Sequence, residues 1–161
     1  MKKLLLIFFL VLSTAGLKAE APESIPVVDF AAVEDLLHQD NDTAYVINFW
    51  ATWCVPCRRE LPYFDAVHRN YSEQKVKVIL ISLDFVSRIE SSTLPFLRDH
   101  DITAEVILLN DPDSNSWIDK VDPSWSGALP ATLIYKGEKR LFLEKEFDYK
   151  SLEDTIHEFI N

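Results

Sequence analysis

The chain is poor in glycine, with three residues in 161. Loops that cradle phosphate with backbone amides need several glycines close together, so nucleotide-binding motifs of that kind are excluded. Basic residues are also scarce: 16 Lys and Arg stand against 26 Asp and Glu, a net charge of -10. Such a surface repels phosphate backbones and anionic lipid, which argues against nucleic acid as a partner. Low-complexity tracts and internal repeats are missing, while 48% of the residues are hydrophobic and 12% aromatic. That is apolar mass enough for one well-buried core, and the length fits a single domain.

The N-terminus sets the compartment. Met1-Lys2-Lys3 is a short positive start, Leu4 to Leu17 is a mostly apolar run, and Ala15 and Ala19 offer small residues for cleavage. This pattern predicts a secretory signal over residues 1–19 and a folded domain over 20–161. The alternative is a retained N-terminal anchor, but the run falls short of the roughly 20 apolar residues that span a bilayer. Cleavage removes Lys2, Lys3 and Lys18 and no acid, leaving 13 basic against 26 acidic residues and a net charge of -13. Nothing after Ala19 is long and apolar enough to cross a membrane. The expected location is periplasmic or otherwise extracytoplasmic, where disulfides persist.

Past the signal, Ile25 to Val28 reads as a first strand and Asp29 as the cap of a helix carrying Phe30, Val33, Leu36 and Leu37. Ala44 to Trp50 is nearly continuous in its hydrophobicity, as expected of a strand covered on both faces. From Cys54 to about Tyr71 the period is helical, and Pro62 predicts a kink within one helix. Val76 to Leu83 is a strand, Ser91 to His100 a helix capped by Ser91 or Ser92, and Ala104 to Leu109 a strand. This alternation implies parallel pairing with right-handed crossovers. A short helix is expected around Trp117. Ala131 to Tyr135 and Arg140 to Leu143 flank Gly137 as an antiparallel hairpin, and Ser151 caps a last helix ending at Ile160.

Cys54-Val55-Pro56-Cys57 contains every cysteine of the chain. Both fall just after a strand, at the opening turn of a helix, where the first amides have no partner within the helix and the dipole favours negative charge. That setting lowers a thiol from about 8.5 to between about 3.5 and 7.5, so Cys54 is expected to be a nucleophile near neutral pH. A spacing of three brings Cys57 onto the same turn, so one sulfur can attack a partner's disulfide and the other can resolve the mixed disulfide. As a staple the pair is poorly placed, because closing so short a loop restrains the unfolded chain by only about 2 kcal/mol. It supplies two ligands where zinc wants four, which leaves a two-coordinate copper(I) carrier as the metal alternative. Haem attachment is excluded, since Arg58 follows Cys57.

The run Asn48-Phe49-Trp50-Ala51-Thr52-Trp53-Cys54-Val55-Pro56-Cys57-Arg58-Arg59-Glu60-Leu61-Pro62 resembles the active-site segment of the TlpA-like branch of the thioredoxin superfamily, exported thiol-disulfide oxidoreductases that include ResA-type proteins. Gly127-Ala128-Leu129-Pro130-Ala131-Thr132 resembles the loop whose cis-proline faces the cysteines in that fold. The resemblance implies an α/β thioredoxin fold, a central mixed sheet flanked by helices, with Asp84 to Leu109 as the helix-strand insertion of the branch. It implies a redox-active Cys54–Cys57 disulfide, with Trp53, Pro56, Leu129 and Pro130 facing the substrate. Glu60 is the residue that would tune the cysteines and pass protons; the alternative for Glu60 is a solvated acid beside Arg58 and Arg59. Asn48 departs from cytoplasmic thioredoxins, which carry a buried aspartate there; an amide takes no proton, so that task passes to Glu60 or water. Trp50 is assigned to the core and Trp53 to the rim, whereas Trp117 and Trp125 fit either.

The implied activity is exchange with protein disulfides, in the direction of reduction. The implied partners are disulfide-containing exported proteins, apocytochrome c among them, and a membrane electron donor that recharges the pair. Neither a cofactor nor a metal is implied. A dithiol oxidase would use the same residues in reverse. Peroxide reduction is disfavoured, because the proline and threonine context of a peroxidatic cysteine is missing before Cys54.

Overall fold

A computed structural model describes residues 20–160. The expected signal at residues 1–19 lies outside them. Among the described residues six strands form one mixed sheet: β1 (Val27–Val28), β2 (Ala44–Trp50), β3 (Val76–Ser82), β4 (Glu105–Leu109), β5 (Ala131–Lys136) and β6 (Lys139–Leu143), in the spatial order β1-β4-β3-β2-β5-β6. The first four are mutually parallel, β5 runs antiparallel to β2, and β6 runs antiparallel to β5. The sheet is flanked by α1 (Phe30–Glu34), α2 (Val55–Tyr71), α3 (Leu94–Asp99), α4 (Ile118–Val121) and α5 (Tyr149–Ile160). This is the thioredoxin fold, with α3 and β4 inserted so that β4 separates β1 from β3.

The central strand explains the layering. All seven residues of β2 are buried, and successive side chains point to opposite faces. Ala44, Val46 and Trp50 join one core with Leu61, Phe64 and Val67 of α2, Leu94, Phe96 and Leu97 of α3, and Leu152 and Ile156 of α5. Tyr45, Ile47 and Phe49 join a second core with Phe30 and Val33 of α1. Trp117 and Trp125 belong to this second core, each 4% exposed, their ring centroids 5.7 Å apart.

Of three helix caps expected from the sequence, one stands and two are replaced. Asp29 caps α1 by accepting from Ala32 N, as its position suggests. The helix expected from Ser91 instead begins with a π-helical turn at Ile89–Thr93, so neither serine is a cap. Helix α5 begins at Tyr149, two residues before Ser151. Asp148 is the cap: its Oδ1 accepts from Ser151 N, and Ser151 Oγ accepts in return from Asp148 N. Helix α2 continues through Pro62 as one helix, and the hairpin turn carries Gly137 at φ +54°.

Candidate active site

Strand β2 delivers the chain to the site. After Trp50 it enters a tight turn closed by the bond from Cys54 N to Ala51 O, 3.1 Å, and leaves it as α2. Cys54 is the N-cap of α2, in extended conformation, with Pro56 in the first turn of the helix where its missing N–H costs nothing. The Cys54 sulfur accepts from Cys57 N at 3.3 Å. The two cysteines form a disulfide, with Cα atoms 5.3 Å apart. Cys54 retains 6% exposure and Cys57 none, so the residue at the helix terminus is the more accessible of the two.

The register between β2 and β5 brings the other landmark alongside. Asn48 stands opposite Thr132 and Phe49 opposite Ala131, so Leu129 and Pro130 lie beside the end of β2 that leads to Cys54. The Leu129–Pro130 peptide bond is cis. Pro130 is buried, and Leu129 is half-buried against the core that contains both cysteines. Trp53 is 61% exposed on the rim of the turn, whereas Trp50 is fully buried against Phe96. Beside Trp53 opens a cleft of about 410 Å³ lined also by Thr52, Asp84, Phe85, Arg88 and Ser92.

Glu60 lies one turn beyond Cys57 and is completely enclosed, which excludes the solvated-acid alternative. Its Oε1 accepts from Asn48 Nδ2 at 2.9 Å and its Oε2 from Phe147 N at 2.8 Å. Burial pushes its carboxyl up from 4.5 to about 7, against the lowering effect of those two bonds, and the nearby charge of Glu146 adds to the rise. Asn48 Nδ2 also donates to Thr132 Oγ1 at 3.0 Å. A buried polar chain therefore runs from the strand after Pro130 through Asn48 to the helix that carries both cysteines. Arg59, exposed, forms a two-pronged pair with Glu146 and takes no part in it.

Sequence reasoning missed Asp84, Thr132 and the amide of Phe147. Asp84 is 5% exposed and its carboxylate accepts from Thr52 in the turn before Cys54. One signal was available: an acid directly following the apolar run of β3, at the strand end where the active-site turn also lies. Phe147 contributes only its backbone, which no side-chain pattern announces.

Comparison with known proteins places these features. Residues 29–141 match the family described as AhpC/TSA. The thiol-disulfide oxidoreductase ResA of Oceanobacillus iheyensis is 36% identical over 61 residues, 38% of this chain and 30% of that protein. ResA of Bacillus subtilis is 26% identical over 115 residues, 71% of this chain and 58% of that protein. The matched stretches thus span less than two thirds of those relatives. A thioredoxin-related protein from Neisseria meningitidis superposes with a TM-score of 0.62 at 25% identity, over 74% of this chain and 86% of that one. A thioredoxin-family thiol:disulfide interchange protein from Chlorobium tepidum shares the fold, with a TM-score of 0.63 at 16% identity over 80% of this chain and 85% of that one.

Proposed function

The chain belongs to the AhpC/TSA family as a ResA-like, thioredoxin-fold member, and from that membership we propose that it is an exported protein-disulfide oxidoreductase that reduces disulfides through Cys54 and Cys57. One observation carries this reading: the pair sits at the head of α2, the more accessible cysteine capping the helix with its sulfur and the other sealed behind it.

In the reducing direction the Cys54 thiolate attacks one sulfur of a partner's disulfide. That S–S bond breaks, the departing partner sulfur takes a proton, and a mixed disulfide remains. Cys57 then loses its proton and attacks the Cys54 sulfur, releasing the second partner thiol and closing the Cys54–Cys57 bond. Two electrons pass from the dithiol to the partner. Glu60, buried one turn beyond Cys57 with its carboxyl pushed up to about 7, is the group assigned to take the proton from Cys57 in this reading. Trp53, Pro56, Leu129 and Pro130 are the residues that would meet the partner chain. Removal of residues 1–19 would deliver the thioredoxin-like domain, 20–161, to the periplasm or another extracytoplasmic space. In such an oxidising space a reductase needs recharging, which calls for a membrane electron donor. Apocytochrome c, during cytochrome c maturation, is one substrate class; other exported disulfide proteins are another.

The test replaces Cys57 with serine and identifies by mass spectrometry the proteins trapped on Cys54. Disulfide-bearing exported proteins are expected; no capture beyond a Cys54→Ser control overturns the proposal. Equilibration against glutathione reads the direction, since about 30 mV corresponds to a tenfold change for two electrons. A strongly oxidising value makes the protein an oxidase. Tight copper(I) binding without reduction of insulin makes it a metal carrier.

A further inference from the structure

The inserted segment between β3 and β4 is hung from two buried aspartates. Asp84, at its start, accepts four side-chain or backbone donors: Thr52 N at 3.0 Å and Thr52 Oγ1 at 2.8 Å on Oδ1, Ser82 Oγ at 3.1 Å and Thr93 Oγ1 at 2.9 Å on Oδ2. Asp65 of α2 holds its end, accepting from Thr103 N at 2.6 Å, Thr103 Oγ1 at 3.1 Å and Ala104 N at 2.9 Å. The two ends differ in what they touch. Asp65 grips the middle of α2, whereas Asp84 grips the turn that sets the Cys54 backbone.

Thr52 is the second residue of the turn Ala51–Cys54. Its amide and hydroxyl both go to one oxygen of Asp84, which leaves that stretch of backbone little freedom. The other oxygen is held by Thr93, the fully buried last residue of the π-helical turn, a type of distortion found frequently at functional positions. Asp84 thus joins the insertion to the residue two before Cys54.

We propose that Asp84 is a positioning residue for Cys54: by clamping Thr52 it keeps the sulfur over the first amides of α2, and through Thr93 it makes that placement depend on the inserted helix. The proposal deepens the disulfide-exchange reading and rests on it. A purely electrostatic role for Asp84 would act with the opposite sign, since a nearby carboxylate opposes thiolate formation. The two roles can therefore be told apart.

The experiment follows iodoacetamide alkylation of Cys54 in the reduced chain against pH, with peptide mapping to assign the site and circular dichroism to verify the fold. Thr93→Val keeps the shape and the charge and removes one donor from Asp84. Its expected effect is an upward shift of the Cys54 midpoint and a rate at pH 7 lower by about three- to tenfold, the size of one lost capping contact. Asp84→Asn should move the midpoint the same way. Thr103→Val, which loses a similar bond at the other end, should lower the melting temperature and leave the profile in place. Superimposable profiles for Thr93→Val and the unsubstituted chain overturn the proposal, as does a downward midpoint in Asp84→Asn. Should Asp84→Asn fail to fold, Thr93→Val alone decides. The unsubstituted profile tests the exchange reading separately: an ordinary midpoint near 8.5 there counts against exchange, whatever Thr93→Val does.

Discussion

Asn48 Nδ2 donates to Glu60 Oε1 at 2.9 Å, joining the strand that delivers Cys54 to the helix that Cys54 caps. Asn48 Oδ1 has no hydrogen-bond partner among the described residues. The amide therefore has a spare, buried acceptor beside the donor that serves Glu60.

That acid makes stability depend on pH. The folded chain holds the Glu60 proton up to about 7, the unfolded chain only to about 4.5. Between those values the folded state binds the extra proton, so stability is highest at the acid end and falls as pH rises, by about 3 kcal/mol in all. Glu60→Gln removes this slope. Its glutamine can be accommodated by turning the Asn48 amide over, which offers Oδ1 to the new NH₂ group. Urea unfolding at pH 4.5, 6 and 7.5 should show the gap between variant and parent widening in the variant's favour with pH.

The two sulfurs should react unequally. Cys54 caps a helix and keeps some exposure, while Cys57 is sealed. In the single-serine variants, Cys54 of Cys57→Ser should be alkylated at least about tenfold faster at pH 7 than Cys57 of Cys54→Ser, from thiolate fraction and access together. Mass spectrometry of timed quenches reads both rates.

Asp65 is a stability residue. Asp65→Ala strands the two backbone donors of Thr103 and Ala104 and the Thr103 hydroxyl. Leaving one buried and two part-buried donors unpaired, and Arg69 without its ion-pair partner, should cost about 3 kcal/mol, measured as a lowered urea midpoint with unchanged slope.

Trp53 should matter to exchange and hardly at all to folding. It is 61% exposed, so Trp53→Ala should change stability by no more than about 0.5 kcal/mol. If it meets the partner chain, reduction of insulin should slow about tenfold, the usual weight of an aromatic contact at an interface. Turbidity and calorimetry measure the two effects.

What was legible in the sequence was local. The unbroken apolar run of β2 announces burial on both faces, Gly137 between two strand patterns announces the hairpin, and two cysteines after a strand announce a helix head. Glu60 was harder, because its neighbours Arg58 and Arg59 suggest solvent. Its place on the stripe with Cys57, Leu61 and Phe64 turns it inward, and that signal was present. Its partners were not legible: Asn48 is 12 residues away and Phe147 is 87, and the latter offers only a backbone amide. Asp84 and Thr93 escaped for a related reason, since a π-helical turn shifts the helical register that places Thr93 inward.

Strand β1 is two residues long and pairs only with Leu108 and Leu109, some eighty positions further on. A chain emerging from its N-terminus must therefore leave Val27 and Val28 waiting until most of the domain has appeared. The sheet's outer border can close only once β4 has been made, so this edge is among the last pairings the chain can form.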